Sequence, residues 1–330
     1  MSGAPIAPLA SAPAAYAPSA LPAPSNIAGN GVSKQRVGIV GAGRMGANIA
    51  LRLRDLGYPI PAVYDIDAAV AQRLAAQTGS AVAASLADLP PLCETILTVV
   101  SDDAAMLRIF ADDDRSLLHA ARGCTFVNCA TVLPATHIEV ERRARAAGAD
   151  AIEACMASSI VQAREGTLFL MVGGAREVFE RCEPLLRDIS SSLAYIGEAG
   201  RAAQLKALVN MVMNANTAAL AEGLGLADAL GLDLSLVLDV FARTGADSRV
   251  RATDGADMIA REHETYFSAE HAAKDSGIAL SLAREAALRL PVAEATYRQY
   301  ERLKRIGLGA LDKSAISELT FRSRHADDDA

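Results

Sequence analysis

The feature that most constrains this chain is a glycine turn, Gly41-Ala42-Gly43-Arg44-Met45-Gly46, placed directly after the apolar run Val37-Gly38-Ile39-Val40. A short run without polar interruption reads as a strand buried on both faces, the habit of a parallel sheet. A helical pattern follows, with Met45, Ile49, Leu53 and Leu56 on one face and Gly57 as its stop. Strand, glycine turn and helix in that order make a phosphate cradle. The first glycine permits the tight turn and the second lets backbone approach a pyrophosphate. The third lets the helix pack closely on the strand, while free N–H groups at the helix N-terminus face the anion. Gly41, Gly43, Arg44, Met45 and Gly46 are therefore candidate cofactor-binding residues. The glycine pattern is weak evidence by itself, and the residues downstream strengthen it. Ala62-Val63-Tyr64 reads as the second strand and ends at Asp65, whose carboxylate can accept from ribose hydroxyls and repel a 2′-phosphate. No Arg follows it, so NAD is expected over NADP. The competing role for Asp65, capping the next helix, is one that Asp67 can fill.

Thr95-Ile96-Leu97-Thr98-Val99-Val100 and Thr125-Phe126-Val127-Asn128 read as further short strands, each followed by a helical segment. Strands alternating with helices imply an α/β architecture with a doubly wound parallel sheet. After Gly200 the strand signals stop. Residues 205–230 form a long helical pattern rich in Ala, Leu, Met and Asn with few charges, which must be covered on most sides by its own domain or by a second subunit. The expected layout is a tail over 1–34, a nucleotide-binding domain over 35–198, an all-α substrate and dimerisation domain over 199–320, and a polar tail over 321–330.

Composition narrows the function. The first 33 residues are rich in Ala, Pro, Ser and Gly and carry no charge, so they are expected to be disordered. They lack the basic and apolar regions of a secretory signal and the arginines of a mitochondrial one. No apolar run is long enough to cross a membrane, and a net charge of −7 argues against nucleic acid as a partner. Trp is absent and aromatics are 4% of the chain, too few for a stacking surface. The five cysteines are odd in number and form no C-x-x-C pair, which fits reduced, mostly buried thiols in a cytoplasmic protein. His263-Glu264 lacks a second histidine four residues on, and no metal is expected.

The one basic residue in the long apolar helix is Lys206, with Asn210 four residues later on the same face. Moving a hydride from an alcohol carbon to a nicotinamide requires removal of the hydroxyl proton, and the reverse requires a proton donor. A lysine serves both directions if desolvation or a nearby cation lowers its pKa. Asn210 can orient a hydroxyl or carbonyl without adding charge. The bland alternative is a lysine reaching solvent along the helix surface.

From these residues outward, the chain resembles the β-hydroxyacid dehydrogenase family, which includes 3-hydroxyisobutyrate dehydrogenase and tartronate semialdehyde reductase. The resemblance covers about residues 36–319. The glycine turn with its Arg-Met-Gly ending is similar to the family's opening motif. Val99-Val100-Ser101-Asp102 and Ala130-Thr131-Val132-Leu133-Pro134 resemble two cofactor-side loops, which adds Val100, Ser101 and Thr131 to the cofactor candidates. Gly197, Gly200, Lys206 and Asn210 match its catalytic stretch, with Ala202 and Val209 as departures. Lys274-Asp275 resembles a Lys-Asp pair that the family places over the cleft near nicotinamide and substrate; the alternative is a surface lysine paired with Asp275 or Glu270. The resemblance implies a Rossmann-type domain followed by an all-α domain. It implies an NAD(P)-dependent oxidoreductase acting on a short-chain β-hydroxy acid, or its semialdehyde or ketone, as a homodimer or homotetramer.

One loop departs. Where the family has Asp-Ala-Pro-Val-Ser-Gly-Gly, this chain has Glu153-Ala154-Cys155-Met156-Ala157-Ser158-Ser159. Ala157 cannot donate to a substrate carboxylate, so Ser158 and Ser159 become the substrate-binding candidates, together with Lys206 and Asn210. The substituted loop points to an altered head group or to neutral drift. Two other readings stand beside the dehydrogenase. One is an imine reductase-like enzyme, which Lys206 disfavours, and the other is a cofactor-binding regulator that has lost activity. A 6-phosphogluconate dehydrogenase would need a longer helical region.

Overall fold

The computed structural model describes residues 34–322 and 324. The expectation of a disordered N-terminal tail falls on residues 1–33, outside the described ones. Lys34, counted with that tail, belongs to the folded part: its ammonium lies 2.8 Å from the Asp188 carboxylate and over the Tyr58 ring.

Strand β1 (Val37–Val40) leads into α1 (Arg44–Asp55), followed by β2 (Ala62–Tyr64), α2 (Ala68–Thr78) and β3 (Ala81–Val82). Then come β4 (Thr95–Thr98), α3 (Asp103–Ile109), β5 (Thr125–Asn128), α4 (Pro134–Ala146) and β6 (Asp150–Met156). These six strands pair in parallel in the order β3-β2-β1-β4-β5-β6. The chain builds outward from β1 in one direction and from β4 in the other, so the ends of β1 and β4 bound the crevice where this class of sheet binds ligands. Val37 and Ile39 pack with Ile49 and Leu53 of α1, while Val40 faces the opposite layer with Ile96 and Phe126. Burial on both faces accounts for the unbroken apolar runs in the sequence.

The sheet then changes direction. After the short helix α5 (Ile160–Glu165), β7 (Leu168–Gly173) pairs antiparallel to β6, and after α6 (Arg176–Asp188), β8 (Ser190–Gly197) pairs parallel to β7. The doubly wound parallel sheet read from the sequence is present, and the reversed β7 and β8 extend it to a parallel-dominated sheet of eight strands. The segment 157–167, with one short helix, cannot carry the chain back along the sheet as a parallel crossover needs.

The helical C-terminal region comprises α7 (Arg201–Ala229), α8 (Leu234–Phe241), α9 (Arg249–Ala260), α10 (Ala269–Glu285), α11 (Pro291–Arg305) and the 3₁₀ segment Lys313–Leu319. Helix α7 begins at Arg201, earlier than its apolar pattern at 205. Its Leu220 and Leu224 pack with Met258, Tyr300, Leu303, Ile316 and Phe321. Phe321, assigned to the polar tail from the sequence, is 3% exposed, and Arg324 donates to the Met258 carbonyl and to Glu318. The ordered core therefore claims the start of that segment. A buried ion pair, Lys313 with Asp254, ties the 3₁₀ segment to α9. Removing one partner of a buried pair strands the other charge. Lys313→Ala should therefore cost about 3–5 kcal/mol in a urea titration, with Lys313→Arg recovering part of it.

Candidate active site

The glycine turn sits at the crevice. Gly41 has φ +92°, and a Cβ there would lie 2.3 Å from the Val99 carbonyl oxygen at the end of β4. A Cβ on Gly46 would lie 1.9 Å from the Gly41 oxygen. Both glycines are demanded by the protein's own packing. Gly43 is different, because a Cβ there meets no atom within 4 Å. It occupies the N-cap of α1 in extended backbone with no side-chain cap bonded to the helix, so the first-turn N–H groups face an open cradle. Met45 packs partly against the core. Arg44 donates to the Thr265 carbonyl in the loop before α10, tying the turn to the helical region.

Asp65 lies at the end of β2. One carboxylate oxygen accepts the Ala42 N–H at 2.7 Å and the other accepts the Asp67 N–H at 2.9 Å. It thereby holds the glycine turn in place. The cap of α2 is Asp67, which accepts from Ala69 and Val70, so the alternative role for Asp65 is taken by its neighbour.

Lys206 and Asn210 face inward from α7 and are 7% and 2% exposed. The Lys206 ammonium donates to Asn210 Oδ1 at 3.0 Å, and Asn210 Nδ2 donates to the Asp275 carboxylate on α10. Asp275, 1% exposed, also lies 3.2 Å from the Lys274 ammonium. Lys274 in turn donates to the carbonyls of Ser101, after β4, and Thr131, after β5. Thus Lys206, Asn210, Lys274, Ser101 and Thr131 are brought into one connected chain, with Asp275 as its hub. Asp275 was legible only as the second half of a Lys-Asp pair. Its burial between two lysines depends on how α10 meets α7. Val100 is half-buried beside Ser101, whose hydroxyl donates to Asp102, the N-cap of α3.

Burial holds the Lys206 pKa below its ordinary value; the Asp275 carboxylate and the Cys155 thiol oppose this, and the Lys274 charge adds to it. All five cysteines are free and buried, and burial pushes the Cys155 thiol well up. It is no ready nucleophile.

The substituted loop is bound up in itself. The Ser158 hydroxyl donates to the Ala157 carbonyl and accepts the Phe169 N–H at 3.1 Å. Ser159 caps α5 in a reciprocal arrangement with Gln162. Neither hydroxyl is bonded to Lys206 or Asn210. Glu153, at the centre of the strand that leads into this loop, is buried beneath α7 with His137 and Cys155, their ligand-type atoms lying within 4.8 Å of one another. The Glu153 oxygens already accept the N–H groups of Ala202 and Ala203, so this donor set fits a helix cap. Sequence reasoning did not single out His137.

The contrast between glycines is testable. Gly46→Ala forces backbone apart and should lower stability by about 1–3 kcal/mol, whereas Gly43→Ala should leave Tm within a degree or two of wild type.

Comparison with known proteins agrees with this architecture. Residues 36–197 match the family model described as the NAD binding domain of 6-phosphogluconate dehydrogenase. Residues 200–320 match that described as NAD-binding of NADP-dependent 3-hydroxyisobutyrate dehydrogenase. Glyoxylate/succinic semialdehyde reductase 1 of Arabidopsis thaliana is 28% identical over 288 residues, covering 87% of this chain and 99% of the relative. The cytokine-like nuclear factor N-PAC of Anopheles gambiae is 28% identical over 284 residues, but this chain spans only 50% of that protein's length. Among solved structures, 3-hydroxyisobutyrate dehydrogenase of Mycobacterium tuberculosis superposes with a TM-score of 0.78 at 23% identity, covering 86% of this chain and 98% of the other. The chain belongs to the β-hydroxyacid dehydrogenase family of NAD(P)-dependent enzymes acting on CH–OH groups, in its 3-hydroxyisobutyrate dehydrogenase-like branch.

Proposed function

We propose that this protein is an NAD-preferring reductase or dehydrogenase that interconverts a short anionic β-hydroxy acid and its semialdehyde, with Lys206 as general acid and base. The observation that carries this reading is the buried Lys206 ammonium, bonded to Asn210 on one helix face and connected through Asp275 to Lys274 over the loops after β4 and β5.

The cradle at Gly43 fits a dinucleotide pyrophosphate, because open space over uncapped N–H groups is what such an anion requires. Gly41, Gly43, Arg44, Met45 and Gly46 would hold it, with Asp65 on the ribose and Val100, Ser101, Thr131 and Lys274 toward the nicotinamide. The absence of Arg after Asp65, and the exposure of Ile66 and Asp67 in its place, support NAD, although one matched family model is named for an NADP-dependent enzyme. A bound nicotinamide supplies or accepts the hydride. In reduction the Lys206 ammonium gives its proton to the carbonyl oxygen as that oxygen becomes a hydroxyl. In oxidation the neutral amine removes the hydroxyl proton. Asn210, its amide fixed by Asp275, orients the reacting oxygen, and Ser158 and Ser159 contribute to the anionic end of the substrate once their local bonds exchange. The relative named for glyoxylate and succinic semialdehyde makes short semialdehydes the first substrates to try.

The exposed apolar side chains of Leu208, Val212 and Leu226 on α7, and of Leu230 at its C-cap, support a homodimer or homotetramer. Five free thiols are consistent with a cytoplasmic setting. A second reading, a cofactor-binding regulator without turnover, draws on the altered loop and on the N-PAC relative. Nicotinamide binding without turnover of any acid in a hydroxy-acid and semialdehyde panel, sulfonate analogues included, would favour it.

Lys206→Ala should lower kcat by about 10²–10⁴-fold while NADH binding persists; retention of most of kcat would remove the acid/base assignment. With its pKa lowered, Lys206 binds fewer protons folded than unfolded in the window below 10.5. Its contribution to stability therefore rises with pH through that window. Reduction, which needs the ammonium, should fall through the lowered pKa, and oxidation should rise. Asp65→Ala should erode the preference for NAD over NADP, measured as the ratio of the two kcat/KM values.

A further inference from the structure

We propose that Glu153 is a positioning residue, whose buried carboxylate caps the N-terminus of α7 from the neighbouring strand and so sets where Lys206 stands. This deepens the proposed function and rests on its assignment of Lys206. A long helix needs acceptors for its first N–H groups; in α7 the Glu198 carbonyl accepts that of Arg201, and the next two need acceptors from elsewhere. Its N-cap, Gly200, has φ +89° and no side chain to bond back. Glu153 supplies them from β6. One oxygen accepts Ala202 N–H at 2.9 Å and the other Ala203 N–H at 3.2 Å. The Gly200 N–H also contributes.

The seat is fitted to this side chain. Glu153 is 2% exposed. A Cβ on Gly173, the residue opposite it on β7, would lie 2.1 Å from its Oε1. Beside it, Cys155 packs with Met171, Ala202 and Ala203, so polar cap and apolar contact hold the same turn. Lys206 follows one turn later. The aligned position in the resembled loop is an aspartate; here the carboxylate is one methylene longer, and Gly173 leaves it room.

Titratable neighbours complete the setting. From α4, the His137 Nε2 lies 3.8 Å from the carboxylate, its ring nitrogens making no hydrogen bond of good geometry, and Glu141 adds a negative charge. Cys155, on the same strand, feels the charges of both Glu153 and Lys206. Burial pushes His137 down to about 4, against a backbone contact with Ala130 and the charge of Asp103, and pushes Glu153 up to about 7, against the N–H groups it accepts. The histidine is a neutral wall, and the cap gains its full accepting strength only as pH rises above neutral.

The test uses the full chain with Glu153→Gln, Glu153→Asp and Gly173→Ala. Gln keeps the reach and one acceptor; Asp keeps the charge but not the reach; Ala at 173 displaces the carboxylate. A small amine-acylating reagent is applied across pH, and mass spectrometry reads the midpoints of Lys206 and Lys274 separately. Glu153→Asp and Gly173→Ala should raise the Lys206 midpoint by about one pH unit or more as its seat loosens, leaving Lys274 and NADH binding within two-fold of wild type, while Glu153→Gln stays near wild type. With a semialdehyde that turns over, the same two variants should lose about 10- to 100-fold in kcat with little change in KM. An unmoved Lys206 midpoint in folded Glu153→Asp and Gly173→Ala overturns the proposal, and so does failure of all three variants to fold. The labelling readout requires no turnover, so a wrong substrate class would show separately.

Discussion

A lysine cannot be taken out of water without either an answering charge or a lowered pKa, and Lys206 has both. The residue is 7% exposed, and its amine is linked to Asp275 through the Asn210 amide. The amide passes on the carboxylate's influence without a direct ion pair that would lock the proton onto the lysine. Lys274, on the other side of Asp275, shares the same charge. Much of the helical region is arranged around this chain. Helix α7 brings the lysine, α10 brings the acid, and the loops after β4 and β5 receive the second lysine.

The legible and illegible parts of the sequence divide along a physical line. The first turn was readable because strand, glycines and helix are consecutive, and each constraint acts over a few residues. Strands β1, β2, β4 and β5 stood out because burial keeps charged residues out of them and leaves short, mostly apolar runs. Strands β6, β7 and β8 did not. Strand β6 carries Glu153 at its centre, a charge that looks foreign to a buried strand until Ala202 and Ala203 are seen above it. Strand β8 is largely half-buried and begins with Ser190-Ser191-Ser192. Its position follows from pairing with β7, which composition does not express. Lys206 and Asn210 were found by their spacing on one helix, whereas Asp275, sixty-five residues from Asn210, needed the tertiary fold.

The loop at Ala157, Ser158 and Ser159 shows a different limit. Its serines were selected as hydroxyls able to replace backbone N–H donors. Both hydroxyls are engaged in shaping the loop, one on β7 and one on α5. A change of residue type here first changes loop construction and only then pocket chemistry. A rebuilt loop of this kind gives position alone little power to specify what its side chains would bind.

The reversal of β7 has a consequence for direction. Gly173 and Gly197 stand level with each other, and Gly173 stands level with Glu153. Glu153 in turn stands level with Asn128, Thr98 and Val40, the last residues of β5, β4 and β1. Because β7 and β8 run against those strands, β8 brings the chain back to the rim of the nucleotide crevice just as it ends. Helix α7 starts there, its first turn seated on Glu153 and Cys155. Two reversed strands thus act as a return path, which leaves Lys206 one turn from the level of the crevice edge.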